Sequence, residues 1–331
     1  MPFLETIGSA SAQAYGMEST NPTGATFSIG SVITFTPGFT AGSTTNSYGQ
    51  YGPTRTQAFN GLTYPAELSN YVSNTSYFNV IQQGYQQFVI PTTGTYRILC
   101  TGARGGNNTI ASWQGGYGAL VGANFALTAG TQLIIAVGQT PSGFGYTAGG
   151  GGASWVSIGT AWNSLSSLLL VGGGGGGAGD SGGTGRNASS TNDGTSGTQG
   201  YAGGTGGNSA PSNNNGWGQG GASWNQNGSG LSSSNWGDGC VALSYYSGLN
   251  GACPSSSFNG TNQANSCVGA PGGFGGGGSG ACNGGGGGGG YSGGASGGGG
   301  GGLYIAGTGS SQTINTTGSF SSGSVTITRI S

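Results

Sequence analysis

The chain is 331 residues long, yet it carries only five Arg, no Lys, no His and six acidic residues, for a net charge of −1. Duplex nucleic acid and anionic membranes are both held by clustered cations, so those partners are excluded. The lack of His removes the usual general base near neutral pH. With 33% hydrophobic residues, including 6 Trp, 15 Tyr and 12 Phe, the chain can build a core; a disordered chain of this length would rely on high net charge.

Residues 1–24 are small and polar after an apolar start at Phe3, Leu4 and Ile7. They are expected to form an extended arm for attachment or oligomerisation. With no basic n-region and no apolar h-region they do not read as a signal peptide, and the Met at position 1 points the same way. No stretch reaches the roughly 18 apolar residues of a membrane-spanning helix; the nearest, 165–171, contains two serines.

From residue 25 the pattern turns to strands. Phe27, Ile29, Val32, Ile33 and Phe35 fall among Ser and Thr before the Pro37-Gly38 break. Residues 39–85 read mostly as loop, with a short helix near 58–72 weakened by Gly61 and Pro65. Strands are then expected at 86–90, 95–101, 119–127, 132–137, 154–158, 167–171 and 324–330, separated by Gly, Pro and Thr turns. In 95–101 the alternation places Tyr96, Ile98 and Cys100 on one face. Short strands at this spacing, with few helix signals, predict an all-β sandwich or jelly roll.

Four tracts, 149–152, 172–177, 284–290 and 297–302, are pure glycine, and 82 residues of the chain are Gly. Fixing a backbone costs roughly 1–2 kcal/mol per residue, and glycine has no side chain to bury in return. The tracts are therefore either disordered or hydrogen-bonded to neighbouring glycine segments packed closer than side chains permit. There is no strict Gly-x-y period, so collagen is excluded. A flexible linker is the plain reading of Gly/Ser sequence, but 172–302 also carries Trp217, Trp224, Trp236, Tyr245, Tyr246 and Tyr291. An ordered region is expected.

Five cysteines are present. Cys240, Cys253, Cys267 and Cys282 cluster among loops that cross-links would stabilise, so two disulfides are expected, with three connectivities open. There is no CxxC pair and no His, which argues against a metal. Cys100 reads as a buried free thiol. Six Asn-x-Ser/Thr sequons, at Asn74, Asn107, Asn187, Asn227, Asn259 and Asn315, are about what this composition yields by chance.

Residues 168–177 formally match a strand followed by GxGxxG, but a dinucleotide site also needs a helix after the glycines. Ala178-Gly179-Asp180-Ser181-Gly182 is a poor one, and a P-loop is impossible without Lys. Asp180 and Asp193 read as turn residues rather than a catalytic pair. With Asp238 they gather too little charge for a calcium site. No catalytic residue, metal or cofactor is expected, and the chain is read as no enzyme. Trp217, Trp224, Trp236, Tyr245 and Tyr246 have two readings: lids packed over the glycine region, or a low-charge recognition surface of the kind antibody loops use.

Several ordered stretches carry a resemblance. They are Gly94-Thr-Tyr-Arg-Ile-Leu-Cys-Thr-Gly-Ala-Arg-Gly-Gly106, Leu133-Ile-Ile-Ala-Val-Gly-Gln139, Gly149-Gly-Gly-Gly-Ala-Ser-Trp-Val156, Leu168-Leu-Leu-Val-Gly-Gly-Gly-Gly175 and the glycine-rich run 272–294. Over 86–331 the chain resembles the glycine-rich extracellular domain of anaplastic lymphoma kinase and leukocyte tyrosine kinase. The segment 35–59, with Gly52-Pro53-Thr54, looks like the first strand of related modules in phage and large-virus structural proteins.

The resemblance implies a tumour-necrosis-factor-like β sandwich with an inserted bundle of polyglycine II helices. On this division 1–24 is the arm and 25–331 the module, with 172–302 forming the polyglycine-helix and loop region. The chain departs from the receptors in having no kinase domain, no membrane span and no charged ligand-binding surface, so cytokine binding is not carried over. The expected function is a non-enzymatic virion surface, spike or tail-fibre protein, at the virion surface or outside the cell. Its expected partners are itself, other virion proteins and a host glycan or protein. The rivals are a subunit of an extracellular glycine-rich filament and, further off, a secreted carbohydrate-active enzyme.

Overall fold

The computed structural model describes residues 25–38, 49–110, 112–180, 183–211, 218–229, 241–252, 269–281, 284–318, 320 and 322–331. Two antiparallel sheets carry the architecture. The first has five strands: β1 (Val32–Phe35), β4 (Gly94–Thr101), β5 (Leu120–Leu127), β12 (Ser310–Asn315) and β13 (Ser324–Arg329). Their order is β1-β13-β4-β5-β12. The second has six: β2 (Phe78–Gln82), β3 (Tyr85–Val89), β6 (Gln132–Ala136), β9 (Ser154–Ala161), β10 (Ser164–Gly172) and β11 (Tyr304–Ile305). They run β11-β10-β9-β6-β3-β2. A two-residue pair, β7 (Gly143–Phe144) with β8 (Thr147–Ala148), stands apart.

The alternation in each strand decides what lies between the sheets. Tyr96, Ile98 and Cys100 of β4 point inward, as their spacing predicts, and meet Val325 and Ile327 of β13 and Val121, Ala123 and Phe125 of β5. Leu133 and Ile135 of β6, Val156 of β9, Leu170 of β10 and Phe88 of β3 complete this core from the other sheet. Phe27, ahead of β1, is fully buried against Tyr96, ring centroids 5.7 Å apart.

The six-stranded sheet is buried on its other face too. Ile134, Ala136, Trp155 and Val171 pack there beneath Tyr245, Leu249 and Phe274 of the glycine-rich region. Burial on both faces is why β6 reads as an unbroken apolar run instead of alternating.

The helix expected over 58–72 is two pieces. Arg55–Asn60 is opened by Thr54 and Gln57 in a reciprocal cap and closed at Gly61. Pro65 precedes a 3-10 turn at Ala66–Leu68 that runs into a second helix, Ser69–Ser73. The chain between them must leave the helical region, as the residue before a proline usually does. Within the two sheets three strands were not legible: β2 lies inside the stretch read as loop, β11 is only two residues long, and β12 is an edge strand with five of its six residues exposed; the short pair β7–β8 was not expected either.

Every glycine-rich excursion leaves and re-enters the sandwich at one end. Thr101 at the end of β4 faces Leu120 at the start of β5, Ala136 faces Trp155, and Gly172 faces Ser154. The Ser154 hydroxyl stitches the two sheets together there, donating to the Thr101 carbonyl at 2.6 Å and accepting from the Gly138 amide at 3.0 Å. The opposite end holds Phe27, whose amide donates to the Thr92 hydroxyl, and Arg329, whose guanidinium bonds the carbonyls of Phe27 and Thr93. No helix among the described residues is long and apolar enough to cross a membrane.

Candidate recognition surface and its glycine support

The glycine tracts are tied to one another through their backbones. Gly174 donates to the Gly289 carbonyl at 2.8 Å, and three residues on Gly177 donates to Gly286 at 2.8 Å. On the partner tract Gly289 donates to Gly151 and Gly286 to Ala148, again three residues apart. The residues between turn elsewhere: Gly175 donates to Ala103, Gly176 to Arg186, Gly287 to Gln219 and Gly288 to Gly299. Successive amides of one tract thus point to successive neighbours, and the direction repeats every third residue. This satisfies backbone groups that a glycine chain cannot pair within itself.

At most positions of the tracts the packing leaves no room for a side chain. A Cβ built on Gly287 would meet the Gly294 carbonyl oxygen, the Gly221 nitrogen (2.7 Å) and the Ala295 oxygen (2.8 Å). On Gly150, Gly174, Gly176 or Gly288 it would strike a neighbouring backbone carbonyl at well under 3.0 Å, closer than real Cβ atoms approach. Gly297 and Gly298, with φ of 76° and 80°, make the turn that sends the chain back alongside itself, a region L-residues rarely adopt.

Aromatic rings join this support to the sheet. The Phe274 ring fits where Gly52 and Gly84 leave room; a Cβ on either would strike it. Trp155 on β9 is fully buried, stacked under Trp224 (5.9 Å, 27°) and edge-on to Tyr245 (5.3 Å, 61°). The Tyr245 hydroxyl shares a 3.0 Å hydrogen bond with Ser157, and Tyr85 donates its hydroxyl to the Tyr245 carbonyl. Burial pushes both phenols up from their usual range.

Among the five aromatics and four cysteines singled out from sequence, the structure separates three cases. Tyr245 was grouped with the surface rings and is corrected here: it is fully buried, because the 3-10 turn Tyr245–Ser247 aims it at the sheet and its neighbour outward. Trp224 is half-buried and serves as a lid over Trp155. Tyr246 is 42% exposed and packs edge-on against Trp224 at 4.9 Å. Trp217, Trp236, Cys240, Cys253, Cys267, Cys282, Asp238 and the arm residues Phe3, Leu4 and Ile7 lie outside the described residues.

The shelf made by Trp224 and Tyr246 is bordered by exposed Asn225, Gln226, Asn227 and Ser247, with no charged residue in those segments. Asn227 holds the turn by accepting from the Ser244 amide at 2.9 Å. Rings backed by a rigid layer, beside amides and hydroxyls, can stack on and hydrogen-bond a neutral ligand at low entropic cost. A signal for Tyr246 was present in the Tyr-Tyr pair after Ser244, but nothing in the sequence says which ring faces out.

Cys100 is a buried free thiol. Burial pushes it up to about 12, the Gly172 backbone contact acting against that. Asp193 caps a loop, accepting from the Gly206 amide at 3.1 Å. Among the described residues no group of three His, Cys, Asp or Glu could hold a metal.

No family model matches the chain, and no curated protein matches it in sequence.

Proposed function

We propose that this chain is a non-enzymatic structural and adhesion protein of a virion surface, serving as a capsid-surface, spike or tail-fibre component of a phage or large virus. In this reading the sandwich is a jelly-roll of the tumour-necrosis-factor type. The tracts are polyglycine II helices bundled as in the glycine-rich domain of anaplastic lymphoma kinase and leukocyte tyrosine kinase.

The observation that carries it is the three-residue repeat of lateral backbone hydrogen bonds between tracts. Three residues per turn with no internal hydrogen bond is the geometry of an extended polyproline-like helix. A bundle of such helices is rigid without charge or a conventional side-chain core. It therefore suits a part exposed to changing salt, since there is little electrostatics to screen. The Trp224–Tyr246 shelf supplies contact with a neutral host glycan or an uncharged protein surface, and the arm, with Phe3, Leu4 and Ile7, supplies attachment to the particle or to a sister subunit.

The test is to locate the chain. Immunogold labelling of purified particles with antibody against this chain should decorate their outer surface at regular positions. Label found only on particle-free filaments would replace this reading with that of an extracellular matrix subunit.

A further inference from the structure

β11 closes one edge of the six-stranded sheet and β12 one edge of the five-stranded sheet. Residues of both strands line a groove of about 420 Å³ whose remaining wall is the loop 190–193. That volume suits a small molecule, since such sites run to about 300–1,000 Å³. Leu303, Ile305 and Ile314 give the groove an apolar side, and Ile314 is 47% exposed. Asn192, Asp193 and Gln312 give it a polar side, and Asp193 is the one charged residue that lines it.

The polar side is held in place with bonding capacity left over. The Leu303 amide donates to the Thr191 carbonyl at 2.9 Å, which ties the loop to the chain entering β11. The Gly206 amide donates to Asp193 Oδ1 at 3.1 Å, while Oδ2 has no partner among the described residues. Gln312 donates from Nε2 to the Gly309 carbonyl at 3.2 Å, which leaves its Oε1 to accept. The Asn192 side chain bonds nothing among the described residues, so it offers both donors and an acceptor.

This set of groups selects the chemistry of a ligand. An anion would be repelled by Asp193. A cation needs acceptors alone and would leave the Asn192 donors unused. A hydroxyl both donates and accepts, so a polyol can bond the carboxylate and the amides together. A pyranose ring adds a face of C–H groups for the apolar side.

We propose that this groove binds a neutral saccharide. Asp193 Oδ2 accepts from one sugar hydroxyl, Asn192 and Gln312 bond its neighbours, and the C–H face lies on Ile305 and Ile314. The groove shares no lining residue with the Trp224–Tyr246 shelf, so each can fail without the other.

The experiment titrates the full chain, isotopically labelled at isoleucine methyl groups, with methyl α-mannoside, methyl β-galactoside and N-acetylglucosamine. At least one probe should shift the Ile305 and Ile314 methyl signals saturably. Ile98, buried in the sandwich core, should stay in place. Asp193→Asn should weaken binding of that probe about tenfold, the loss expected for one hydrogen bond to a charged group. The new amide keeps an oxygen for Gly206, so the loop should hold. Asn192→Ala should weaken binding too, and it makes the test alone if Asp193→Asn moves Ile98. No shift from any of the three sugars, or parent affinity in both variants, overturns the proposal. Shifts caused by methylguanidinium and by no sugar would make the groove a cation pocket and overturn it as well. Sugar binding that leaves Ile305 and Ile314 unmoved but quenches the fluorescence of the parent and not of Trp224→Phe refutes the groove and favours the shelf.

Discussion

Adding one methyl group at position 287 separates an ordered bundle from a linker. In a flexible segment, or at an open glycine of ordinary backbone conformation, Gly→Ala stabilises by about 0.4–1 kcal/mol because it restricts the unfolded chain. Gly307 is such a site: it is exposed, and a Cβ there meets nothing within 4 Å. At Gly287 the same Cβ would press on backbone atoms of Gly221, Gly294 and Ala295. None of these is a side-chain end that can swing away. Relief requires moving a neighbouring segment and with it three hydrogen bonds: Gly287 to Gln219, Gly278 to Gly287, and Gly221 to Gly294. At about 0.5–1.5 kcal/mol each, Gly287→Ala should cost about 1.5–4.5 kcal/mol, whereas Gly307→Ala should be neutral or stabilising. Urea denaturation of both variants beside the parent, followed by fluorescence, reads the difference. Equal stability of the two variants would refute the packing argument, since it would mean position 287 has as much room as 307.

Three further outcomes are expected. Tyr246→Ala should leave stability within about 0.5 kcal/mol, as surface changes usually do, while reducing adhesion to host material; an unchanged adhesion assay would strip the shelf of its role. Tyr245→Phe should instead destabilise by about 1 kcal/mol, because the hydroxyl shared with Ser157 is buried, and a thermal melt identical to the parent's would contradict that. Stability should be flat between pH 5 and 8, where His would titrate in other proteins. It should then fall on the alkaline side. Burial holds Cys100 and Tyr96 each at about 12 in the folded chain, against roughly 8.5 and 10 when unfolded. These raised values stabilise the fold fully below the unfolded values, and the benefit is lost as pH climbs toward 12. Midpoints measured from pH 4 to 12 check this, and a drop between pH 5 and 7 would count against it.

How much of this was legible depended on whether a residue's role was local. The alternation of Tyr96, Ile98 and Cys100 announced β4 and its inward face, because period two is a property of the strand itself. The edge strand β12 was missed: Ser310 to Asn315 bury almost nothing, and their pairing with β5 is decided by partners 186 to 195 residues away. The glycine tracts posed the same difficulty more acutely. Composition stated that they must either pair or stay loose, but which residue pairs with which follows from a tertiary arrangement that identical glycines cannot encode one at a time. The helix expected over 58–72 broke at Gly61 and Pro65, the two residues whose backbone preferences opposed it. At the recognition surface, the neighbouring Tyr245 and Tyr246 have the same chemistry, and only the turn that carries them sends one inward and the other outward.

If the glycine tracts are a hydrogen-bonded solid and not a tether, amide hydrogen exchange on the native full-length chain will show it. The amides of Gly174, Gly177, Gly286 and Gly289 each donate across tracts, so they should exchange as slowly as those of β9 and β10, opening only in larger unfolding events. Exchange of these four at the rate of an unstructured glycine peptide, while the sheets stay protected, would mean that the tracts are loose.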